Sequence, residues 1–307
     1  MQPASEPVCP KSVVCIGAFC IDMVCAVQEP VQTGQAVCCS HFSRTLGGKG
    51  LNQTVALRQG GLNPHFYAKA GRAEYGLLCS FLKNRGIAAD GIYPMAGESN
   101  TGILQITPSG DTAILGCANP ETAFSEQEVC SILGRYAPGD WLFLQNEISG
   151  IQRTVQAAKK RGLNVALNPS PINGAYEPVD LSQIDCLILN EAEAFQLTGV
   201  HENHALVHLA DKTQGLVVIT LGERGAICSK DHVCYSIPAC PANCKNTLGA
   251  GDTFFGFFLA EYLRSGTITR ALALASASAA LVVERDGTAE VIPTIHEVKE
   301  RMCKWFF

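Results

Sequence analysis

The run K-N-T-L-G-A-G-D-T-F-F-G-F-F-L-A-E-Y-L fills residues 245–263 and governs how the rest of the chain is read. It opens with a turn of small residues, Gly249-Ala250-Gly251. An apolar segment follows, too long for an ordinary strand and apolar enough for a buried helix. Asp252 stands where the turn becomes the helix, at the cap or in the first turn. A helix that begins on glycines presents unpaired backbone N–H groups at its positive end, and anions bind there. A carboxylate beside such a hole suits one chemistry. The acid takes a proton from a hydroxyl while backbone dipoles hold the charge of a phosphoryl group in transfer. Read alone, the same letters also describe a capped glycine turn without chemistry, so the rest of the chain has to decide.

Length and composition narrow the field. At 307 residues the chain makes one large domain, or a domain with a smaller appendage. An apolar fraction of 47% is ordinary for a globular protein. The net charge of −5, with no long basic run, argues against nucleic acid or an anionic membrane as partner. The 15 cysteines are scattered, odd in number and without a C-x-x-C pair. Cys38 and Cys39 are adjacent, and Cys240 and Cys244 are four apart; neither spacing makes a zinc framework without histidines nearby. They read as mostly buried small hydrophobes in a reducing, cytoplasmic setting. The apolar run 13–27 is interrupted by Gly17 and Asp22, so a buried first strand is expected rather than an export signal. No uncharged apolar stretch reaches the length of a membrane span.

Along the chain, residues 1–10 read as a loose tail and 12–17 as a buried strand. Residues 23–45 alternate apolar and polar around a turn at 30–34. A helix follows Gly47-Gly48-Lys49-Gly50 and stops at Gly60-Gly61. Strand and helix then alternate: strand 64–70, helix 75–84, a hairpin of 101–107 with 112–116, and a helix at 125–133 opened by the capping pattern S-E-Q-E. Strands are expected at 141–144, 164–168, 186–189 and 216–221, with helices at 151–161 and 191–197 between them. A hairpin to residue 237, the helix of the opening motif, an Ala-rich helix near 269–283 and a last helix after Pro293 complete the chain. This alternation predicts a doubly wound, mostly parallel α/β sheet covered on both faces. Residues 11–22, 46–95 and 119–307 form its core. The pieces 23–45 and 96–118 do not fit that layer and are expected to make a small β lid.

The second chemical stretch is G-G-K-G-L-N-Q, residues 47–53. Glycines let backbone approach a ligand, and Asn52 offers the donor and acceptor that a sugar hydroxyl requires. It is not a Walker A loop, because no G-x-x-x-x-G-K-[ST] occurs. Three further stretches stand between these two: L-N-P-S-P (167–171), L-N-E-A-E-A-F-Q-L-T-G (189–199) and V-I-T-L-G-E-R-G (218–225). Together the five, in this order, resemble the ribokinase (PfkB-type) family of carbohydrate kinases across nearly the whole chain. The resemblance implies roles for matching positions. Asp252 would deprotonate the sugar's primary hydroxyl, with Gly249, Ala250 and Gly251 as the anion hole. Asp22, Gly48, Lys49, Asn52 and Glu147 would hold the sugar. Asn190, Thr220, Gly222, Gly225, Gly251 and Ser276 would serve ATP, and Glu193 would reach Mg²⁺ through water. The partners implied are ATP and a pentose, in a homodimer paired through the lids.

Two positions depart from the family pattern. Cys20 stands where Asn is usual, two residues before Asp22. A thiol is a weak donor and poor acceptor, so it selects less for a hydroxyl and suits a deoxygenated carbon better. The resemblance makes ribose the expected acceptor, and Cys20 makes 2-deoxyribose, another pentose or a nucleoside the alternative. Asn246 stands where potassium-activated members carry Asp, and Val291 where a Ser is usual. The lost charge and ligand leave K⁺ at Asn246 disfavoured, beside an expected need for Mg²⁺ with ATP. A non-catalytic sugar-binding protein is the reading outside this class, and the intact G-A-G-D and N-x-x-E motifs oppose it.

Overall fold

A computed structural model describes residues 12–172 and 176–306. The tail expected at 1–10 lies outside the described residues, as does Lys11. The strands are β1 (Val13–Ile16), β2 (Cys20–Ala26), β3 (His41–Gly47), β4 (Pro64–Gly71), β5 (Ile92–Met95), β6 (Asn100–Ile106), β7 (Thr112–Cys117), β8 (Trp141–Gln145), β9 (Asn164–Asn168), β10 (Cys186–Asn190), β11 (Leu216–Thr220), β12 (Ala226–Lys230) and β13 (Val233–Ile237). The α-helices are α1 (Lys49–Gln59), α2 (Arg72–Asn84), α3 (Glu126–Leu133), α4 (Ile151–Lys160), α5 (Glu191–Thr198), α6 (Glu202–Ala210), α7 (Ala250–Ser265), α8 (Ile268–Val283) and α9 (Ile295–Phe306).

Nine strands form the main sheet in the order β13-β12-β11-β10-β9-β8-β1-β4-β5. All neighbours from β11 through β5 are parallel, and β12 and β13 add an antiparallel edge. The central strands β1, β8, β10 and β11 are almost wholly apolar because both faces are covered. Along β1, Val13 and Cys15 enter one core while Val14 and Ile16 enter the other. Along β8, Trp141 and Phe143 alternate with Leu142 and Leu144 in the same way. The first core is packed by α1, α7 and α8, and the second by α3, α4 and α6. Phe143 meets Phe255 edge-on with centroids 4.3 Å apart, which docks α7 onto β8.

Helices α1 and α7 touch through small residues. A Cβ at Gly256 would lie 2.4 Å from the Ala56 Cβ, and one at Gly60 would lie 2.7 Å from the Ala260 Cβ. Side chains are thus excluded where the two helices cross, and their backbones come close. The chain order reverses at β1, which lies between β4 and β8. Open α/β sheets bind ligands beyond the strand carboxyl ends at such a point.

The smaller sheet has the order β3-β2-β6-β7. It is two antiparallel hairpins, β2–β3 and β6–β7, joined through a parallel pairing of β2 with β6. The hairpins are the two off-layer pieces of the sequence reading, with different bounds. The smaller sheet takes in Cys20–Asp22 and Leu46-Gly47, which the sequence reading assigned to the core. Asp22 is therefore the third residue of β2 and does not end β1. Two further elements escape sequence reading. β5 is short and carries Pro94, and α6 follows so soon after α5 that the two read as one helix and a loop.

Candidate active site

The turn before α7 does what its small residues permit. Gly249 is the N-cap at φ 70°, a left-handed conformation natural to glycine, and no side chain caps the helix. Asp252 is the third residue of the helix, so it lies in the first turn rather than at the cap. A Cβ placed on Gly249 or Gly251 would meet nothing within 4 Å. The space in front of the helix mouth is open, and its first N–H groups have no intrahelical partner. Gly249 and Gly251 line a cleft of about 850 Å³ bounded by both sheets, while Ala250 N donates to the Thr247 carbonyl at 3.3 Å.

Asp252 is buried and gripped from α1. Asn52 Nδ2 donates to its Oδ2 at 3.0 Å, and Gln53 Nε2 donates to its Oδ1 at 2.8 Å. Helix α1 begins abruptly because Gly48 turns at φ 93°. Its first amide, Lys49 N, donates to Glu147 Oε2 at 2.9 Å, so Glu147 supplies the carboxylate that this helix end attracts. Burial pushes Glu147 up to about 7, helped by the nearby charges of Asp252 and Asp22 and opposed by Lys49. Burial pulls the Lys49 ammonium the other way, but Asp252, Glu147 and Glu193 outweigh it and hold its pKa above the usual value.

Asp22 comes from the smaller sheet and fits a slot between two glycines. A Cβ on Gly47 of β3 would lie 1.8 Å from its Oδ2, and one on Gly102 of β6 would lie 2.8 Å from its Oδ1. The Cys20 thiol donates to Oδ1 at 3.5 Å. Burial raises Asp22 to about 6; the Cys20 hydrogen bond lowers it, and Asp252 and Glu290 raise it further. Cys20 itself stays a neutral thiol, because burial and the Asp22 and Glu147 charges hold its pKa well up. Strand alternation presents one face of this sheet to the cleft, including Cys20 and Asp22 on β2 and Gly102 and Leu104 on β6.

On the other side of the cleft, Asn190 ends β10 and caps α5. Its Oδ1 accepts from Glu193 N at 2.9 Å, while Glu193 Oε2 accepts from Asn190 N at 2.9 Å. The N-x-x-E motif is thus a capping box that also lines the cleft. Glu193 keeps Oε1 as its remaining acceptor. A magnesium ion arriving on phosphates retains most of its waters and needs only one or two protein oxygens, which Glu193 and Asn190 suit. Thr220 ends β11 and also lines the cleft.

Of the sequence-derived site residues, the cleft brings together Asp22, Gly48, Lys49, Asn52, Glu147, Asn190, Glu193, Thr220, Gly249, Gly251 and Asp252. Ala250, Gly222, Gly225, Ser276 and Asn246 are not among its lining residues. Gly225 serves packing, since a Cβ there would lie 2.0 Å from the Ile237 carbonyl oxygen. Ser276 Oγ accepts from Cys240 N at 3.0 Å and pins the chain beyond β13 to α8. Asn246 is spent at both ends: Nδ2 donates to the Arg285 carbonyl at 3.1 Å, and Oδ1 accepts from Leu248 N at 3.1 Å. A monovalent cation placed there would meet an N–H and no carboxylate, so these residues do not fit one.

Sequence reasoning missed Gln53 as well as the cleft-lining Asn100 and Thr288. One signal was available for Gln53. It sits in a helix whose residues Gly50–Leu57 are all buried, and a polar side chain there needs a partner.

Comparison with known proteins bears on this geometry. The family model described as pfkB family carbohydrate kinase matches residues 10–295. A ribokinase of Haemophilus influenzae is 30% identical over 300 residues, covering 94% of this chain and 98% of that protein. A deoxyribokinase of Salmonella typhi is 25% identical over 305 residues, covering 93% and 96%. Among solved structures, a nucleoside kinase of Burkholderia thailandensis in complex with inosine superimposes with a TM-score of 0.82 at 18% identity, over 96% of this chain and 98% of that one. This last likeness speaks to the fold.

Proposed function

The chain belongs to the pfkB family of carbohydrate kinases and is a phosphotransferase acting on an alcohol group; from that premise we propose that it transfers the γ-phosphoryl group of ATP to the 5-hydroxyl of D-ribose, giving D-ribose 5-phosphate and ADP. The observation that carries the reading is the placement of Asp252. It sits beside an open, uncapped helix mouth, in a cleft where polar groups from both sheets converge.

In this reading the two sides of the cleft divide the work. Asp22, Asn52 and Lys49 hold the sugar hydroxyls. Glu147 braces the start of α1 beside them. Asn190, Glu193 and Thr220 face the nucleotide, and Gly249 and Gly251 leave room for the moving phosphoryl group in front of the helix dipole. Magnesium, once bound with ATP, neutralises phosphate charge; the cleft needs this, because the acidic residues Asp22, Glu147, Glu177, Glu193 and Asp252 line it against one lysine, Lys49. Transfer is direct and in line, with no covalent enzyme intermediate. The smaller sheet acts as a lid that excludes water from the reacting oxygen. The lid's outer face exposes Phe42 and Leu115, which favours pairing of two lids in a homodimer.

A second acceptor class is favoured by Cys20. Its thiol reaches Asp22 rather than offering an amide to a hydroxyl, so 2-deoxyribose or the ribose of a nucleoside competes. Release of ADP with ribose, deoxyribose, fructose, adenosine and pseudouridine ranks these possibilities. Ribose is expected to give the highest kcat/KM. A higher value for another member of the panel replaces it as the acceptor, and no ADP release with any of them removes the catalytic reading.

A further inference from the structure

We propose that Gln53 is a positioning residue that commits Asp252 to accept its proton on one oxygen, Oδ2. This deepens the phosphotransfer reading and rests on Asp252 being the base. Gln53 is fully buried on α1 and is not among the residues lining the cleft. Both hydrogens of its amide nitrogen are spent, one on Asp252 Oδ1 at 2.8 Å and one on Asn168 Oδ1 at 3.1 Å.

The direction of this chain of bonds is set from its far end. The Ile188 carbonyl of β10 can only accept, so Asn168 must turn its Nδ2 toward it, at 2.9 Å. That rotation aims Asn168 Oδ1 at Gln53. Two acceptors then face the amide end of Gln53, and only its nitrogen satisfies both. Asp252 Oδ1 therefore receives a donor that cannot rotate away without stranding Asn168. The Gln53 N–H thus holds the Oδ1 side of the carboxylate in a fixed hydrogen bond.

Oδ2 is different. Its partner, Asn52, lines the cleft and can exchange its hydrogen bond for one to substrate. The alcohol O–H breaks as its proton moves to Oδ2. The pair left on oxygen forms the new P–O bond, and the bridging P–O bond breaks with its electrons leaving on ADP.

The test compares three variants of the full chain, with magnesium, ATP and the fastest acceptor of the panel. Asp252→Asn is expected to lose about a thousandfold or more in kcat through loss of the base. Gln53→Met removes both donors at similar volume. It is expected to lower kcat about ten- to a hundredfold through misplacement of the base, with acceptor and ATP KM nearly unchanged. Gln53→Glu keeps the shape but sets a second carboxyl against Asp252. The two then share a proton, and the acid limb of kcat moves to higher pH. Parent-like kcat and pH profile in both Gln53 variants, beside an inactive Asp252→Asn, overturn the positioning role. A lowered melting temperature with unchanged kcat does the same. Near-normal turnover in Asp252→Asn instead sinks the base reading itself. If Gln53→Met does not fold, Gln53→Glu decides alone through its pH profile.

Discussion

Two carboxyls, the buried Asp22 and the half-buried Glu147, set the expected pH response. Burial holds Asp22 at about 6 and Glu147 at about 7. In the proposed reaction Asp22 serves the sugar as an acceptor, and both of its oxygens are free to accept only when it is ionised. Acceptor kcat/KM is therefore expected to fall as pH drops through about 7 and then about 6, while ATP affinity follows a different profile. Steady-state kinetics between pH 5 and 9 check this, and a flat profile across that range contradicts it. Stability runs in the opposite sense. Glu147 has a raised folded pKa, so its contribution is fully present below its unfolded value and is lost as pH rises through about 7. The melting temperature of the parent minus that of Glu147→Gln should be more positive at pH 5 than at pH 8. The residues legible in the sequence are those whose job is local. Gly249, Gly251 and Asp252 announce themselves within four letters. Gln53 does not, because its partners lie 115 and 199 positions away and only the fold brings them together.

At the scale of elements, short contacts between neighbours fix the site. The slot for Asp22 exists because β3 and β6 place glycine on either side of it. Gly47→Ala drives a methyl group into that carboxylate. Acceptor KM is expected to rise by about tenfold or more as the hydrogen-bonding group is displaced, with ATP KM unchanged. Equal effects on both substrates would point to general unfolding of the sheet. The loop after α8 offers a second case. Asn246 already donates to the Arg285 carbonyl, so the tie holds without an ion. Rates in potassium and in a bulky organic cation are expected to be equal, and a large potassium effect refutes that. Sequence patterns located most strands and helices because apolar runs and capping boxes are local signals; the box at Ser125 and Glu128 is present as read. They missed β5, whose partner β4 supplies its pairing, and α6, whose buried Ala205, Leu206 and Leu209 are too few to set a period. Both hairpins of the smaller sheet were legible, but their parallel union was not. It joins β2 to β6 across most of a hundred residues, and no turn records it.

For the whole molecule, the cleft belongs to two sheets with different burial. The main sheet is held between two apolar cores, whereas β7 of the smaller sheet is largely exposed. Amide exchange should register the difference. Backbone protons of Ile21–Met23 and of residues 101–103 are expected to exchange more slowly with sugar bound, and those of β8–β10 to change little. Protection confined to the main sheet would show that the smaller one takes no part in holding the sugar.

The path from Ile16 to Cys20 is only a few residues long, yet it crosses from one sheet to the other. Asp22 rides on the lighter of the two bodies and Asp252 on the heavier. In the proposed reaction a pentose spans both, whereas a water molecule touches one at a time. Discrimination against hydrolysis is thus a matter of reach: the alcohol worth activating is the one long enough to be held by both hands.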